Sequence, residues 1–396
     1  MSLRDALPVN RRAALAGLAA TPLAGCAMPV ASPLGMNGSP APADSIDAAA
    51  RLSGRRFGSS VAYRADGSGM SVTNPAYAAV IKAECGIVVP ENELKWQYTR
   101  PGPDTYDFSA MDEIVRWAQG NDIAVRAHTL LWHRPQWFPE WLNNYDYGAN
   151  PVQEAERLLT EHIRTATDRY RGVITSWDVV NEAIDHDRNT TIETSMSRAM
   201  GSPEAVLDLA FHTARDQLPD AELVYNDYMS WEPDHITGNK HVPDVLRLLE
   251  GFRKRGTPVD TLGIQSHIEA FAIDPATGLG PYMEREWRTF LDEVTGMGYK
   301  LIITEFDVKD REFPADIATR DRLVAEYTQR YMDVMLDYTE LTDILAWGMV
   351  DRFNWLQYFD PAKRADGLEV RGTPYASDFT PKPLRNALRQ SFLDAA

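Results

Sequence analysis

The chain has 396 residues, with 40 Lys and Arg against 57 Asp and Glu, so its formal net charge at pH 7 is −17. This acidic balance provides no basic surface and argues against a DNA or RNA partner. Only two cysteines are present, which excludes a disulfide scaffold and a thiolate metal cluster. The many aromatic residues, including ten Trp and 16 Tyr, suggest stacking on an uncharged ligand.

The first 25 residues predict an export signal. Arg11 and Arg12 resemble a twin-arginine pair and precede an Ala-, Leu- and Gly-rich stretch, 13–23, that is too short to span a bilayer. The tetrapeptide ending at Cys26 resembles a bacterial lipobox, whose Cys is lipidated and becomes the mature N-terminus. We therefore expect an exported lipoprotein of the outer membrane, periplasm or cell surface, with lipid on Cys26 as its only membrane attachment.

Two further regions follow the predicted signal. Residues 26–50 are rich in Pro, Gly, Ser and Ala without an apolar period, so they predict a flexible tether. Residues 51–396 contain no second linker and no internal repeat, which indicates a single domain. We expect this domain to act as a monomer.

Eight short apolar or β-branched runs predict strands in this domain, and each interval between them can hold one helix and two loops. The runs begin near Phe57, Ile87, Ile123, Ile174, Glu222, Leu262, Leu301 and Ile344. Helix signals lie between them: Asn74-Pro75, Ser109 and Ser202-Pro203 at starts, Gly120 and Gly256 at ends. This alternation predicts a closed (β/α)8 TIM barrel, with an open doubly wound sheet as the alternative.

Polar and aromatic residues cluster where seven of these strands end. Because the carboxyl ends of barrel strands meet at one mouth, we expect these side chains to form a single site. They are Glu91, Asn92 and Lys95; His128, Trp132 and His133; Asn181 and Glu182; Asn226, Asp227 and Tyr228; Gln265 and His267; Glu305 and Asp307; and Trp347, with Trp355 just beyond.

Two of these residues, Glu182 and Glu305, end strongly apolar strands on opposite sides of the predicted mouth. A buried carboxylate is costly unless a partner or a function holds it, so the pair is a candidate site. Glycoside hydrolysis needs one protonated acid and one ionised carboxylate beside a sugar-binding cleft. The pair therefore indicates a glycoside hydrolase, although each Glu alone could also form a structural salt bridge.

Six motifs resemble glycoside hydrolase family 10, most of whose members are endo-β-1,4-xylanases. They are ENELKW, HTLLWH, WDVVNE, YNDY, IQSH and ITEFDV, in this order, within about residues 55–393. The resemblance implies a retaining mechanism, with Glu305 as the nucleophile and Glu182 as the acid/base. In a retaining pair the two carboxyl groups lie about 5–5.5 Å apart.

Further roles follow from the resemblance. Asn181 is expected to bind the sugar 2-hydroxyl, while His267 donates to Glu305 and Asp307 sets the tautomer of that imidazole. Glu305 is expected to raise the pKa of Glu182 until the nucleophile is esterified. The remaining candidates are expected to bind xylan or xylo-oligosaccharides. They are Glu91, Asn92, Lys95, His128, Trp132, Gln265, Trp347, Trp355, Asn226 and Tyr228.

The segment His133-Arg134-Pro135-Gln136-Trp137 departs from the family pattern because it is shorter than the usual stretch, which carries a Gln soon after the His. Arg134 is expected to bring a positive charge to the cleft, which suggests a preference for xylan carrying acidic substituents.

Several alternatives stay open at this point. The spacing of His128 and His133 does not match a metal-ligand pattern, so we expect neither a metal nor another cofactor. Trp347 and Trp355 could instead pack under the last loop. A barrel cellulase or mannanase is the nearest alternative enzyme, and a non-catalytic xylan-binding surface protein is the alternative outside enzymes.

Overall fold

The computed structural model describes residues 42–233, 238–270 and 282–396, with side chains omitted for 238–240. The predicted signal, Cys26 and most of the predicted tether lie outside these residues. The described strands are β1 Arg56–Val61, β2 Ile87–Pro90, β3 Ala124–Val125, β4 Leu131–Trp132, β5 Ser176–Asn181, β6 Ile184–Asp185, β7 Thr190–Thr191, β8 Glu222–Asp227, β9 Thr261–Ile264, β10 His267–Glu269, β11 Lys300–Lys309 and β12 Leu341–Ala346.

The described α-helices are α1 Ile46–Leu52, α2 Pro75–Glu84, α3 Trp96–Thr99, α4 Ser109–Gln119, α5 Glu140–Asn143, α6 Pro151–Tyr170, α7 Ser195–Met200, α8 Pro203–Gln217, α9 Gly238–Arg255, α10 Glu284–Gly296, α11 Ile317–Leu336 and α12 Pro383–Asp394. Short 3-10 helices cover Pro135–Trp137, Asp351–Phe353, Trp355–Gln357 and Asp360–Ala362. None of the helices described is long and apolar enough to cross a membrane.

Parallel strands form a closed barrel, and its third strand is split into β3 and β4. The paired order is β3, β2, β1, β12, β11, β9, β8, β5 and β4. Between the two pieces, the Arg126 amide donates to the Val88 carbonyl in β2, and the Ala127 amide donates to the Ser176 carbonyl in β5. The third strand therefore bonds to both neighbours and closes the ring. The predicted eight-stranded barrel is confirmed.

Several local predictions also agree with the structure. Asn74 and Ser202 are the N-caps of α2 and α8, and each is followed by Pro at the first helical position. Gly256, just after α9, has a φ of +74°, a conformation that glycine adopts without strain. The strand predicted to begin near Ile174 begins two residues later, at Ser176.

The predicted boundary at residue 50 is wrong, because α1 already belongs to the folded domain. Ile46 and Ala50 are fully buried. The Ile46 amide donates to Glu84 (2.9 Å), and Asp47 accepts from the amide of Phe57 at the start of β1 (3.0 Å). Composition alone concealed this helix, since its alanines continue the Ala-rich pattern of the residues before it.

The barrel interior changes character along its axis. An apolar group that includes Val89, Val224 and Leu345 packs inside the ring, with Trp347 above it. Further toward the amino ends of the strands, Arg56 donates to Asp343. This ion pair neutralises two largely buried charges at the amino ends of the strands.

We expect Ile46→Ala to lower the free energy of unfolding by about 2–4 kcal/mol, because it removes buried methyl groups where α1 packs on the domain. Leu52→Ala is the matched control in the same helix: Leu52 is 67% exposed, and its truncation should cost less than about 0.5 kcal/mol. Denaturant unfolding of both variants measures the difference. Equal midpoints would contradict the assignment of α1 to the fold.

Candidate active site

The carboxyl ends of the barrel strands surround a cleft of about 630 Å³. Most of the predicted site residues line it: Glu91, Asn92, Lys95, His128, Trp132, Asn181, Glu182, Tyr228, Gln265, His267, Glu305, Trp347 and Trp355. Asn226 and Asp307 are buried below the surface of the cleft and contact residues that line it. Most of the residues predicted from seven strand ends are therefore brought together at one mouth, whereas His133 and Asp227 are fully buried and do not line the cleft.

Glu305, on β11, is held as an anion. Its Oε1 accepts from Asn226 Nδ2 (2.8 Å), and its Oε2 lies 3.4 Å from His267 Nε2. Burial alone would raise the pKa of this carboxyl, but the hydrogen bond from His267 and the electrostatic effects of His128, His267 and Lys95 lower it to about 2. Glu305 is thus ionised over the whole ordinary pH range.

His267 owes its charge to Asp307. Its Nδ1 lies 2.8 Å from Asp307 Oδ1, while Trp355 Nε1 donates to the other carboxylate oxygen (2.7 Å). Burial would lower the pKa of the imidazole, yet the charge and hydrogen bond of Asp307, together with Glu305, raise it to about 9. The predicted arrangement of these three residues agrees with the structure.

Glu182 follows directly after β5, with a φ of +50°, and two hydrogen-bond donors and one cation surround its carboxylate. Oε1 accepts from Gln265 Nε2 (2.8 Å). Oε2 accepts from Trp132 Nε1 (3.1 Å) and lies 3.0 Å from Arg134 Nε. A non-glycine residue in this left-handed conformation is strained, which is typical of a residue held for function.

The pKa of Glu182 is raised, as predicted, but the main cause differs. Burial contributes most, Arg134 acts in the opposite direction, and the charges of Asp227 and then Glu305 raise it further. From the sequence, the charge of Glu305 was expected to be the main cause, because the burial of Glu182 cannot be judged from its motif. The two carboxyl groups are thus pushed toward opposite protonation states within one cleft.

One side of the cleft combines a cation with stacked rings. Lys95 Nζ donates to Asn92 Oδ1 (3.0 Å) and lies 4.6 Å from the centre of the Trp132 ring. Trp137 stacks on Trp132, with ring centroids 4.4 Å apart and an angle of 19° between the ring planes. Burial lowers the pKa of the Lys95 ammonium, while the Glu305 carboxylate acts in the opposite direction. Glu91 completes this wall.

The floor of the cleft contains His128 and Trp347. His128 Nδ1 lies 2.8 Å from Asp178, a buried carboxylate that also pairs with Arg126. The His128 ring meets the edge of Trp347, with centroids 5.4 Å apart. Trp347 both packs on the apolar barrel interior and lines the cleft, so packing and ligand contact are not exclusive alternatives for this residue.

Asn181 lines the cleft, whereas Asn226 is buried below it. Asn181 lines the cleft beside Glu182, as predicted, and its amide contacts that of Asn226 (2.8 Å). Asn226 is fully buried and uses its amide between Glu305 and Thr304, whose hydroxyl donates to it (2.7 Å). Asn226 therefore supports the Glu305 carboxylate from below rather than facing the cleft.

Arg134 reaches the cleft, but its charge is already engaged. Besides its contact with Glu182, its Nη2 donates to the Tyr228 hydroxyl (2.7 Å) and to the Ile184 carbonyl (3.1 Å). The expected preference for acidic substituents, which required an unpaired cation, therefore loses its physical basis. In the described part of the chain, no group of three or more His, Cys, Asp or Glu side chains is arranged to hold a metal ion.

The family model for glycosyl hydrolase family 10 matches residues 45–391. The chain belongs to glycosyl hydrolase family 10. Endo-1,4-beta-xylanase B of Thermotoga neapolitana is 29% identical over 316 residues, which cover 79% of this chain and 82% of that protein.

Solved structures agree with the family assignment. Native xylanase 10B from Thermotoga maritima matches with a TM-score of 0.74 and 26% identity, over 88% of this chain and 98% of that one. Xylanase 10B from Thermotoga petrophila RKU-1, in complex with xylobiose, matches with the same TM-score and identity, over 88% and 97%. The family 10 barrel therefore accounts for nearly all of the described residues.

Sequence reasoning missed two features of this family 10 site. Trp137 was not singled out, although it lies in the shortened segment after His133 and is a large aromatic residue close to the predicted mouth. The contact of Arg134 with Glu182 was missed as well, because the two residues lie 48 positions apart and no motif joins them. In each case the signal was the departure from the family pattern itself.

We expect Asp307→Asn to lower the pKa of His267 from about 9 toward its ordinary value of 6.5, because the facing negative charge is removed. NMR titration of the histidine side chains measures the change, and the other histidines serve as internal controls. Since its pKa is raised in the folded state, protonated His267 stabilises the unmodified protein below about pH 6.5. This contribution is lost as the pH rises through 9. An unchanged His267 titration in the variant would contradict this account.

Proposed function

We propose that the chain is a retaining endo-β-1,4-xylanase, which hydrolyses internal bonds of xylan by double displacement. The observation that carries the proposal is that the pKa values of two carboxyl groups in one sugar-sized cleft are shifted in opposite directions. The pKa of Glu305 is held at about 2 by its donors, whereas burial raises that of Glu182. An ionised nucleophile and a protonatable acid are what this reaction requires.

In the first step Glu305 attacks the anomeric carbon and forms a covalent glycosyl ester. Glu182 gives its proton to the leaving oxygen, so the departing sugar chain leaves as a neutral alcohol. His267 and Asn226 hold the attacking carboxylate in place through its two oxygens. Preorganised donors of this kind reduce the reorganisation needed at the moment of reaction.

In the second step Glu182, now a carboxylate, removes a proton from water, which displaces Glu305 from the anomeric carbon. Esterification has removed the negative charge of Glu305, so the pKa of Glu182 falls in the intermediate. The same residue can therefore act first as an acid and then as a base. Two inversions return the product to the original β configuration.

Xylan is the proposed substrate because a neutral sugar chain suits the walls of the cleft. Trp347 and Trp355 line the cleft with aromatic surface that suits the C–H surfaces of pyranose rings, while Asn92 and Lys95 offer groups that bind hydroxyls. The curated relative is named a xylanase, and one structural neighbour holds xylobiose. These similarities support xylan over cellulose or mannan.

We expect Glu305→Ala and Glu182→Ala each to reduce reducing-sugar release from xylan by about a thousandfold or more. On dinitrophenyl β-xylobioside, whose leaving group needs no proton, azide should restore activity to Glu182→Ala by attacking the glycosyl ester without base assistance, and the product should be a β-glycosyl azide. An α-glycosyl azide, or no rescue, would contradict the assigned roles.

The same assay separates the alternative functions. The unmodified domain, residues 42–396, is tested on xylan, cellulose and mannan in parallel. Cleavage of cellulose or mannan without cleavage of xylan would indicate the alternative enzyme class. Binding of xylan without cleavage would indicate a binding protein.

We further propose that the protein is exported and held at the bacterial membrane by lipid on Cys26. The support is the lipobox resemblance at this residue and the basic and apolar residues that precede it. We expect labelled palmitate to enter the full chain when it is expressed in bacteria, and Cys26→Ser to abolish the labelling. Cys85→Ser is the matched control, since Cys85 is a buried cysteine within the barrel. Labelling that persists in Cys26→Ser would contradict the proposal.

A further inference from the structure

Arg134 is fixed in the cleft wall by contacts on three sides. Nη2 donates to the Tyr228 hydroxyl (2.7 Å) and to the Ile184 carbonyl (3.1 Å), and the guanidinium lies 5.3 Å from the centre of the Tyr228 ring. Its Nε lies 3.0 Å from Glu182 Oε2. The side chains of Arg134 and Glu182 are only 16% and 13% exposed, so solvent screens this ion pair weakly.

Tyr228 is itself held in place, which makes Arg134 a rigid partner. The Tyr228 hydroxyl lies 2.7 Å from His186 Nδ1, and its ring stacks on His241 with centroids 4.3 Å apart. A guanidinium anchored in this way loses little conformational entropy when it contacts a carboxylate. The contact with Glu182 is therefore built into the wall of the cleft.

We propose that Arg134 is a positioning residue for Glu182. Arg134 holds the Glu182 carboxylate at Oε2 and favours its ionised form. It thereby promotes the second step of the reaction, in which Glu182 acts as a base, over the first step, in which Glu182 acts as an acid. This inference rests on the acid/base role proposed for Glu182. If so, the shortened segment after His133 influences the reaction through Arg134.

The chemistry of the donors supports this role. Arg134 and Trp132 both face Oε2, and each can only donate hydrogen bonds, so a proton placed on Oε2 would have no acceptor there. Gln265, at Oε1, is the one amide among the three and can offer either a donor or an acceptor. The carboxylate form of Glu182 therefore accepts hydrogen bonds from Trp132 and Gln265 and pairs with the charge of Arg134, whereas a proton on Oε2 would face two groups that cannot accept it.

The other charges near Glu182 act differently at the two steps. Burial, Asp227 and Glu305 favour the acid form, while Arg134 favours the carboxylate; Lys95 is a further cation within range of Glu182. Asp227 already accepts hydrogen bonds from Tyr225 and His241. When Glu305 is esterified its negative charge disappears, but Arg134 keeps its charge. The balance then favours the base that the second step needs.

The test compares Arg134→Gln with Arg169→Gln, which removes an exposed cation paired with Asp112 on the outside of the barrel. Two substrates separate the steps. Xylotetraose needs a proton from Glu182, whereas dinitrophenyl β-xylobioside has a leaving group that needs none, so its kcat reports the second step.

For Arg134→Gln we expect the alkaline limb of kcat/KM on xylotetraose to move to higher pH by about one unit, because the acid form of Glu182 persists longer. On the dinitrophenyl substrate we expect kcat to fall by about tenfold and azide to restore it, while kcat/KM changes by less than about threefold. Arg169→Gln should change none of these values. Arg134→Lys, which keeps the charge, should restore the limb at least in part.

Two results would overturn the inference. One is an unchanged pH profile together with an unchanged kcat in Arg134→Gln. The other is a parallel loss of kcat and kcat/KM on the dinitrophenyl substrate, which would indicate that Arg134 only maintains the structure of the wall. Failure of the proposed function looks different, since it would appear as the absence of azide rescue in Glu182→Ala while Arg134 is intact.

Discussion

The site depends on one electrostatic constraint, which is that two carboxyl groups buried in the same cleft ionise at different pH. Glu305 is contacted by two hydrogen-bond donors and lies beside the charge of His267. For Glu182, burial raises the pKa by more than its neighbours lower it. The two side chains are chemically identical, so the difference in their pKa values does not come from the residue type. The difference comes from the hydrogen-bond donors, charges and burial that the neighbouring strands of the barrel provide around each carboxylate.

The barrel also explains why support for these groups comes from below as well as from the sides. His128 rests on Asp178, His267 rests on Asp307, and Glu305 rests on Asn226. Each supporting residue lies one layer deeper, where it is fully buried and cannot reorient easily. A rigid lower layer keeps the reactive atoms in place without contacts from the substrate.

Much of this arrangement could be predicted from the sequence, because strand ends in a parallel barrel converge irrespective of loop detail. The eight strands and most cleft residues follow from that rule. The break in the third strand, the depth of Glu182 and the contact between Arg134 and Glu182 could not be predicted, since they depend on backbone paths that no local pattern specifies. Helix α1 was hidden for a different reason: its alanines are compatible with both a tether and a helix.

Helix α1 has a consequence for orientation. It contacts Glu84 at the end of α2 and Phe57 at the start of β1, both at the amino ends of the strands, whereas the cleft opens at their carboxyl ends. The chain thus enters the domain on the face opposite the cleft. An attachment made just before α1 would therefore lie at the end of the barrel away from the cleft and would leave the mouth of the cleft uncovered.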